Sequence, residues 1–534
     1  MPVIEEIAVP SVARTWNPLT LIYDGQFHNP DEVDEEIDNI LAAVPELVDL
    51  EIIGQSYLGR NLSCLRITNE MNTVQKAKTL VVAQHHGREQ ITVEMALRFI
   101  LYLLNNYGLN DTITEYVDSQ EIFVIPTLNP DALDIVVNEG NHWLRKNLRP
   151  FDNDGDGLVS EDDVDDANGD GVISDFLVYL KSSPSDSPAY TDYDWEYWEG
   201  IDDDGDGAFN EDEVGLVDLN RNYPTYWGLY DPDLLDPITQ VYCGTEPFSE
   251  PETQAFRDFA IKHRFSMAYS LHSGINATYF PTDEYGNWFE PPLYYGMLAD
   301  YGDILPENFN YYLGYTPDSA KRLVTTSGGW GEWMFTERGT TVPITFELYT
   351  NGSVDGVEAY PIIYENNTHI IREWRGIYGY FNPTVEHINT LWNEIIPAFI
   401  YLLEMTPRLD IAISNVSGGI TAGENVSMSV QMTCLSPRLG SKDGIYVLGP
   451  DYSVLDFLIA VGGDQTLTDQ ANIVLQSDLT ASGVSITIGN NYTGFTKFRL
   501  TLGTANIIDP LLLGGIIGIS IAVVALVVYF VRYR

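Results

Sequence analysis

Cysteine is scarce in this chain of 534 residues: there are three, Cys64, Cys243 and Cys434, far apart and without a C-x-x-C pair. At most one disulfide can form, so a disulfide scaffold and a Cys-rich zinc ribbon are both excluded. Basic residues are few as well. The 27 Lys and Arg stand against 78 Asp and Glu, for a formal net charge of −51. Nucleic-acid affinity comes from Lys and Arg on phosphates, so nucleic acid is not an expected partner. Residues 1–20 contain no basic stretch leading into a long apolar run, so no export signal is legible there. Apolar material is not lacking. The chain is 44% hydrophobic and 12% aromatic, enough for a large core, and its length predicts two or three domains.

One segment lacks charge altogether. Leu511 to Val531 is 21 residues long, and at ~1.5 Å per residue it spans ~30 Å, one hydrocarbon core. It predicts a single transmembrane helix. Arg532 and Arg534 follow it, which places the tail 532–534 in the cytoplasm and the rest of the chain outside the cell.

Periodicity gives the layout. Asn29-Pro30-Asp31 starts a helix whose apolar residues include Val33, Ile37, Ile40 and Leu41. Residues 50–53, 62–67, 79–84 and 121–125 read as strands. Residues 91–107 read as a helix with Val93, Ala96, Leu97, Ile100 and Leu104 on one face. Asn129-Pro130-Asp131 reads as a turn. Strand texture returns at 267–271 and 342–346, and helix texture at 251–262 and 384–403. Strands alternating with helices predict an α/β fold with ligands at the strand ends. After Pro407 the texture becomes short strands with Gly- and Asn-rich turns, which predicts an all-β, sandwich-like domain over 409–505. The expected organisation is an N-terminal extension (1–17), an α/β domain (18–405), the sandwich, and the membrane helix.

Residues 151–215 interrupt the α/β pattern with 22 acidic residues and one basic residue, Lys181. Two windows follow the calcium-loop rule, in which alternate oxygens wrap the ion and a Gly at position six permits the bend. One runs through Asp202, Asp204, Asp206, Asn210 and Glu213. The other runs through Asp152, Asp154, Asp156, Ser160 and Asp163. A third holds Asp166, Asn168, Asp170 and Ser174 but ends on Leu177 instead of a carboxylate. Calcium sites that rigidify the insert are the expectation. An acidic solvated loop is the plainer alternative.

The chemistry gathers at His85-His86-Gly87-Arg88-Glu89, between a strand and a helix. An imidazole and a carboxylate three residues apart suit zinc, although H-x-x-E alone is a weak signal. His272, which ends its own strand, is the best third ligand. His85 competes with His86, but strand parity turns adjacent side chains opposite ways. Glu347 ends an apolar strand and is placed to act as a base on a metal-bound water.

These residues sit within a series of motifs. Trp143-Leu144-Arg145-Lys146, Val217-Asp218-Leu219-Asn220-Arg221-Asn222, the run Tyr242 to Glu252, His272-Ser273, Ser327-Gly328-Gly329 and Phe346-Glu347-Leu348 follow in order. In this the chain resembles the zinc metallocarboxypeptidases of the carboxypeptidase A/T type (peptidase family M14), over about residues 18–405. The resemblance implies a mixed-sheet α/β/α domain that removes C-terminal amino acids from peptides and proteins. It implies His86, Glu89 and His272 as ligands of one catalytic zinc, Glu347 as general base and Arg145 as oxyanion donor. Asn220 and Arg221 would hold the substrate carboxylate, with Arg88 assisting. Where the family has a lid tyrosine before Ser-Gly-Gly, this chain has Val324, so either Tyr315 or another nearby tyrosine substitutes or the lid contact is lost. Gly331 and Glu332 fall where the substrate side chain is selected, and Glu332 favours a basic one.

Overall fold

The computed structural model describes residues 1–152, 157–160, 162–167, 173, 175–180, 195–201, 214–229, 231–307, 327–350, 362–366, 369–374, 377–436, 438, 445–448, 456–457, 466–475, 479–480, 482, 484–490 and 494–502. The expected membrane segment lies outside them. Among the described residues no helix is long and apolar enough to cross a membrane.

A seven-stranded mixed sheet carries the α/β part. Its strands are β2 (Val48–Gln55), β3 (Asn61–Ile67), β4 (Ala77–Ala83), β5 (Gln120–Ile125), β8 (Met267–His272), β9 (Ile275–Tyr279) and β10 (Val342–Tyr349). They are ordered β2-β3-β5-β4-β8-β10-β9. The middle four, β5-β4-β8-β10, are parallel, and the outer pairings are antiparallel. Side chains alternate between the faces, as the two-residue period of a strand requires. Val81 and Ala83 of β4 pack on one side against α1 (Pro30–Ala43), α2 (Ile91–Asn106) and the C-terminal α9 (Ile388–Met405). Leu80 and Val82 pack on the other side, with α5 (Pro251–Lys262) and α7 (Trp330–Thr336). Both faces are covered, which is why these strands read as continuous apolar runs.

Local signals account for the helices. Asn29 caps α1 reciprocally: its Oδ1 accepts from the Glu32 N–H at 3.0 Å, and Glu32 Oε2 accepts from the Asn29 N–H at 3.0 Å. Two short helices go beyond the periodicity, α3 (Asp111–Ser119) and α4 (Pro130–Asn138), the second where the sequence predicts a turn. In α4 the Asn-Pro-Asp run opens a helix instead of a turn, because Pro fits its first position at no cost in hydrogen bonds. The remaining helices are α6 (Pro291–Ile304) and α8 (Ile377–Phe381).

The acidic insert is more than a set of loops. It contributes β6 (Asp175–Leu180) and β7 (Trp195–Trp198) to a four-stranded antiparallel sheet, ordered β11-β12-β6-β7, with β11 (Ile362–Glu365) and β12 (His369–Trp374). A small core joins the two segments: Trp143, Val164, Ile173, Ile377 and Phe381, with Trp198, Ile370 and Tyr380 packed against it.

From Leu409 the described elements are strands: β13 (Leu409–Gly418), β14 (Asn425–Cys434), β15 (Ile445–Leu448), β16 (Asp456–Phe457), β17 (Thr466–Val474), β18 (Val484–Asn490) and β19 (Gly494–Leu502). They form one sheet ordered β13-β14-β17 and another ordered β1-β19-β18-β15-β16. Ile411, Val430, Ile486 and Phe498 share one core. The outer strand β1 is Pro2–Glu6, paired antiparallel with β19, and its Ile4 joins that core. The first residues are therefore part of the C-terminal sheet and not a separate extension. The chain then crosses to α2, where Arg14 Nη1 donates to Asn105 O at 2.5 Å and Trp16 Nε1 donates to Leu104 O at 3.2 Å. These bonds satisfy carbonyls that the end of a helix leaves open.

Candidate active site

The metal-type residues lie where the parallel strands end. The last residue of β4, Ala83, is paired with Leu271 of β8, and His272 is paired with Glu347 of β10. Between Ala83 and the histidines stands Gln84 in a left-handed conformation, φ 55°. This is a costly backbone for a residue with a side chain. It is held because the Gln84 Nε2 donates to Gly87 O at 3.1 Å and its Oε1 accepts from Thr127 Oγ1 at 2.5 Å. The loop is also fixed to the irregular segment that follows α4: Gly87 N donates to Arg145 O at 3.2 Å and Arg88 N to Leu144 O at 2.8 Å.

His86 Nδ1 lies 2.7 Å from Glu89 Oε1, His272 Nδ1 lies 2.9 Å from Glu89 Oε2, and the two Nδ1 atoms are 3.2 Å apart. All three side chains are buried. Ligand atoms on a tetrahedral ion with bonds of ~2.0 Å stand ~3.3 Å apart, so the spacing matches a single metal centre. The donor chemistry agrees. His86 Nε2 is 3.1 Å from Asp218 Oδ1, which keeps the proton on Nε2 and aims the Nδ1 lone pair at Glu89 and His272. Two imidazole nitrogens and a carboxylate with one open side fit zinc. Among the described residues this is the one group of three metal-ligating side chains.

His85 faces away from this point. Its Nε2 is 3.1 Å from the Tyr223 hydroxyl and its Nδ1 is 3.0 Å from Ser270 Oγ. Burial first, and then His272 and His86, hold it well below the usual imidazole range.

Asp218 ties the site together. One oxygen takes His86, and the other takes Arg145 through Nε at 2.9 Å and Nη2 at 2.8 Å. Burial alone would raise the Asp218 carboxyl. Arg145, His86 and Arg221 outweigh it and hold the group well below its ordinary value. Glu89 behaves likewise, lowered by His86 and His272 against burial. Glu347 goes the other way. Burial and the nearby Glu89 raise it well above the carboxylate range, and Arg145 and Arg221 offset only part of this. Its Oε2 is buried without a hydrogen-bond partner.

A cavity of about 550 Å³ opens over these groups. His86, Glu89, His272, Arg145, Asn220, Arg221 and Glu347 all line it. Arg221 is placed by the Ser-Gly-Gly run. Gly328 has φ +68°, and a Cβ there would stand 1.9 Å from Arg221 O, so only glycine permits this approach. Arg221 Nη1 donates to Asn220 O at 3.0 Å. Asn220 Oδ1 accepts from the Trp330 N–H at 3.0 Å, and its Nδ2 is 3.4 Å from His272 Nε2. Glu332 also lines the cavity, and burial pushes it up to about 7.

Arg88 is placed differently from the expectation. It is not among the cavity walls. Its Nη1 donates to Gln240 Oε1 at 2.7 Å and to Trp143 O at 3.3 Å, and its guanidinium lies 4.4 Å from the Phe381 ring centroid. Arg88 braces the wall instead. Two groups the sequence did not single out are Asp218, legible only as part of its motif, and Tyr380, which lines the cavity from α8. Val324 and Tyr315 lie outside the described residues.

The calcium expectation finds little here. Asp154, Asp156, Asn168, Asp170, Ser174, Asp202, Asp204, Asp206, Asn210 and Glu213 lie outside the described residues. Asp152 accepts from the Gly157 N–H at 3.1 Å, and Ser160 has φ 53°. Asp163 is occupied by protein: its Oδ2 accepts from Asn141 Nδ2 at 2.9 Å, and burial pushes it up to about 6. In the third window, which begins at Asp166, the last positions fall in β6 and pair with β12, with Leu177 where a final carboxylate would stand.

Comparison with known proteins agrees with this geometry. The profile of the zinc carboxypeptidases matches residues 33–397. A zinc carboxypeptidase of Saccharothrix mutabilis subsp. capreolus is 38% identical over 127 residues, 23% of this chain and 29% of that protein. Carboxypeptidase B2 of Bos taurus is 22% identical over 334 residues, 62% of this chain and 64% of that protein. An inactive metallocarboxypeptidase of Saccharomyces cerevisiae is 32% identical over 126 residues, 23% of this chain and 29% of that protein. The chain thus spans less than two thirds of the length of each of these relatives. With the profile covering well over half of the sequence, and the donor triad and its buried carboxylate at the ends of the strands it matches, this chain belongs to the zinc carboxypeptidase family.

Proposed function

We propose that the protein is an active, zinc-dependent carboxypeptidase that releases single residues from the C-termini of peptides and proteins. The observation that carries this reading is Glu347. A buried carboxylate with an unpartnered oxygen, paired in register with His272 and beside two arginines in one cavity, is an expensive arrangement unless it does chemistry.

His86, Glu89 and His272 would hold the zinc, which when bound polarises a carbonyl and brings a water near neutrality. Glu347 takes the water's proton and returns it to the departing amine. Arg145, held by Asp218, presents its remaining N–H groups to the oxygen on which negative charge develops. Arg221 receives the terminal carboxylate, for which a planar five-donor guanidinium is suited. Asn220, whose side chain is tied to the Trp330 N–H, holds the Arg221 guanidinium through its own backbone carbonyl. A blocked C-terminus therefore fails as substrate.

A second reading is a binding protein that keeps the fold with weak catalysis. Retention of Glu347, Arg145 and all three ligands favours the enzyme. A third keeps the chemistry but takes cell-wall peptides or other amides. One experiment separates them. Wild type and Glu347→Gln are incubated with peptides differing only in the last residue, with and without a zinc chelator. The enzyme reading requires stepwise release by zinc-loaded wild type alone. Binding without release supports the second reading, and release only from wall-type peptides supports the third.

Attachment to a membrane through 511–531 and calcium in the insert belong to the same reading, supported by the sequence patterns. Membrane fractionation of cells expressing the full chain tests the first. Titration of EGTA at fixed zinc, followed by activity, tests the second.

A further inference from the structure

His85 is fully buried beside the donor triad, and the proposed reaction gives it no task. Asn129 Nδ2 donates to its backbone oxygen at 3.3 Å. Its ring lies nearly parallel to the His272 ring, 17° apart in plane with centroids 5.5 Å apart. Ser270 links the two. It stands two residues before His272 on β8, so both side chains leave the same face of the strand. Its Oγ is 3.0 Å from His272 Nε2 and 3.0 Å from His85 Nδ1. The far nitrogen of His85, Nε2, is 3.1 Å from the Tyr223 hydroxyl. Ser270 and Tyr223 are fully buried too, so a bond lost here is not replaced by one to bulk water.

The direction of these bonds follows from the ligand role of His272. A nitrogen that binds a metal carries no proton, so Nδ1 is bare and Nε2 carries the hydrogen. Nε2–H donates to Ser270 Oγ. The hydroxyl of Ser270 has one hydrogen of its own, which goes to His85 Nδ1. The neutral His85 ring then carries its proton on Nε2 and donates to the Tyr223 oxygen. Asn220 offers no alternative acceptor. Its Oδ1 is taken by the Trp330 N–H, and the atom 3.4 Å from His272 Nε2 is the amide nitrogen, a donor. Reversed, the chain would run from Tyr223 to His272 and put the proton on Nδ1, facing Glu89 and His86. That form cannot bind a metal there.

We propose that Ser270 and His85 are positioning residues for the metal centre, a buried relay anchored on Tyr223 that holds His272 in the tautomer with Nδ1 free for zinc. This rests on the zinc carboxypeptidase reading above. His86 is oriented by a charged acceptor, Asp218, and His272 by a neutral chain. The neutral chain adds no second negative charge to the edge where Glu347 stands.

The test reads zinc affinity of the full chain by competition with a chromophoric chelator, with no assay of activity. Ser270→Ala cuts the relay in the middle. His85→Phe keeps a ring and removes the acceptor. Each weakens zinc binding about tenfold. Combining them costs no more than either alone, because both cut one chain. His85→Asn puts an amide oxygen near the Nδ1 position and recovers most of the affinity. A packing role predicts the reverse order, since Phe fills the site better than Asn. Wild-type affinity in Ser270→Ala overturns the proposal, as do additive losses in the double variant or a greater loss in His85→Asn than in His85→Phe. If His85→Phe does not fold, Ser270→Ala and His85→Asn decide: a loss in the first with little in the second supports the relay, and equal losses overturn it. If wild type itself binds no zinc, the zinc reading falls and this proposal with it.

Discussion

Asp218 fixes His86 in one tautomer: the His86 Nε2 stands 3.1 Å from Asp218 Oδ1 while the Nδ1 faces Glu89 and His272. The other Asp218 oxygen carries Arg145. A ligand and the oxyanion donor are therefore positioned by the same buried carboxylate. Asp218→Asn keeps the shape but removes the charge and one acceptor. Zinc affinity should fall about 10–100-fold, the usual effect of losing such a partner. Because Arg145 loses its counter-charge too, kcat should fall even with zinc in excess. Competition with a chromophoric chelator reads the first effect and steady-state kinetics the second. Unchanged zinc affinity would show that His86 needs no partner.

Glu332 turns a positional hint into a pH prediction. It sits in the first turn of α7, accepts from the Thr282 N–H at 3.3 Å, and titrates near 7 because it is buried. Below that pH it is neutral, and above it is an anion in the cavity wall. The ratio of kcat/KM for a C-terminal Lys over a C-terminal Leu should therefore rise between pH 6 and 8. In Glu332→Gln the ratio should be lower and flat. A ratio independent of pH in wild type removes Glu332 from selectivity.

Gly274 offers a steric test of the α8 placement. Alanine there meets both a φ of +117° and the Phe381 ring at 2.5 Å. Strain of this kind costs about 1–3 kcal/mol. Gly274→Ala should lower the melting temperature and cut activity, because Phe381 must move. The paired change Gly274→Ala with Phe381→Ala should recover part of the stability. No recovery would place the strain in the backbone alone.

Much of the site was legible because its residues lie at strand ends and carry motif spacing. His272 and Glu347 end apolar runs, His86 and Glu89 stand in the loop just past a third, and parallel pairing then delivers all four to one edge. His85 and His86 are told apart in the sequence by strand parity together with the family match, although the strand ends at Ala83 and the left-handed Gln84 precedes both. What was not legible depends on long-range contact. Arg88 spends its guanidinium on Gln240 and Trp143, residues far along the chain. Tyr380 sits in a short helix of five residues, too brief for periodicity to mark a face. The pairing of β1 with β19 joins the two ends of the described chain, and no local pattern announces it. Most positions of the calcium windows lie outside the described residues; of those described, Asp163 accepts from Asn141.

A buried histidine away from the site sets a pH dependence of stability. His28 Nδ1 is 2.7 Å from Glu94 Oε1 and its Nε2 is 3.3 Å from Glu36 Oε1, with all three side chains fully buried. Burial lowers the His28 pKa, but the bonds and charges of Glu36 and Glu94 more than reverse this and raise it to about 9. The ring of Tyr23 packs edge-on against it and adds no charge at neutral pH. A folded-state pKa raised above the unfolded value of ~6.5 contributes stability that is fully present below ~6.5 and lost as pH rises through about 9. The contribution is about 3 kcal/mol at its fullest. Lys76, which burial pushes down to about 8, slopes the opposite way, so wild type must be compared with a His28 variant. Urea unfolding of zinc-loaded wild type and His28→Asn at pH 6, 8 and 10 reads the difference. Their gap in unfolding free energy should be widest at pH 6 and should narrow by about 3 kcal/mol at pH 10. A gap that stays constant with pH would mean that His28 is buried as the neutral ring, and that Glu36 and Glu94 are answered by other groups.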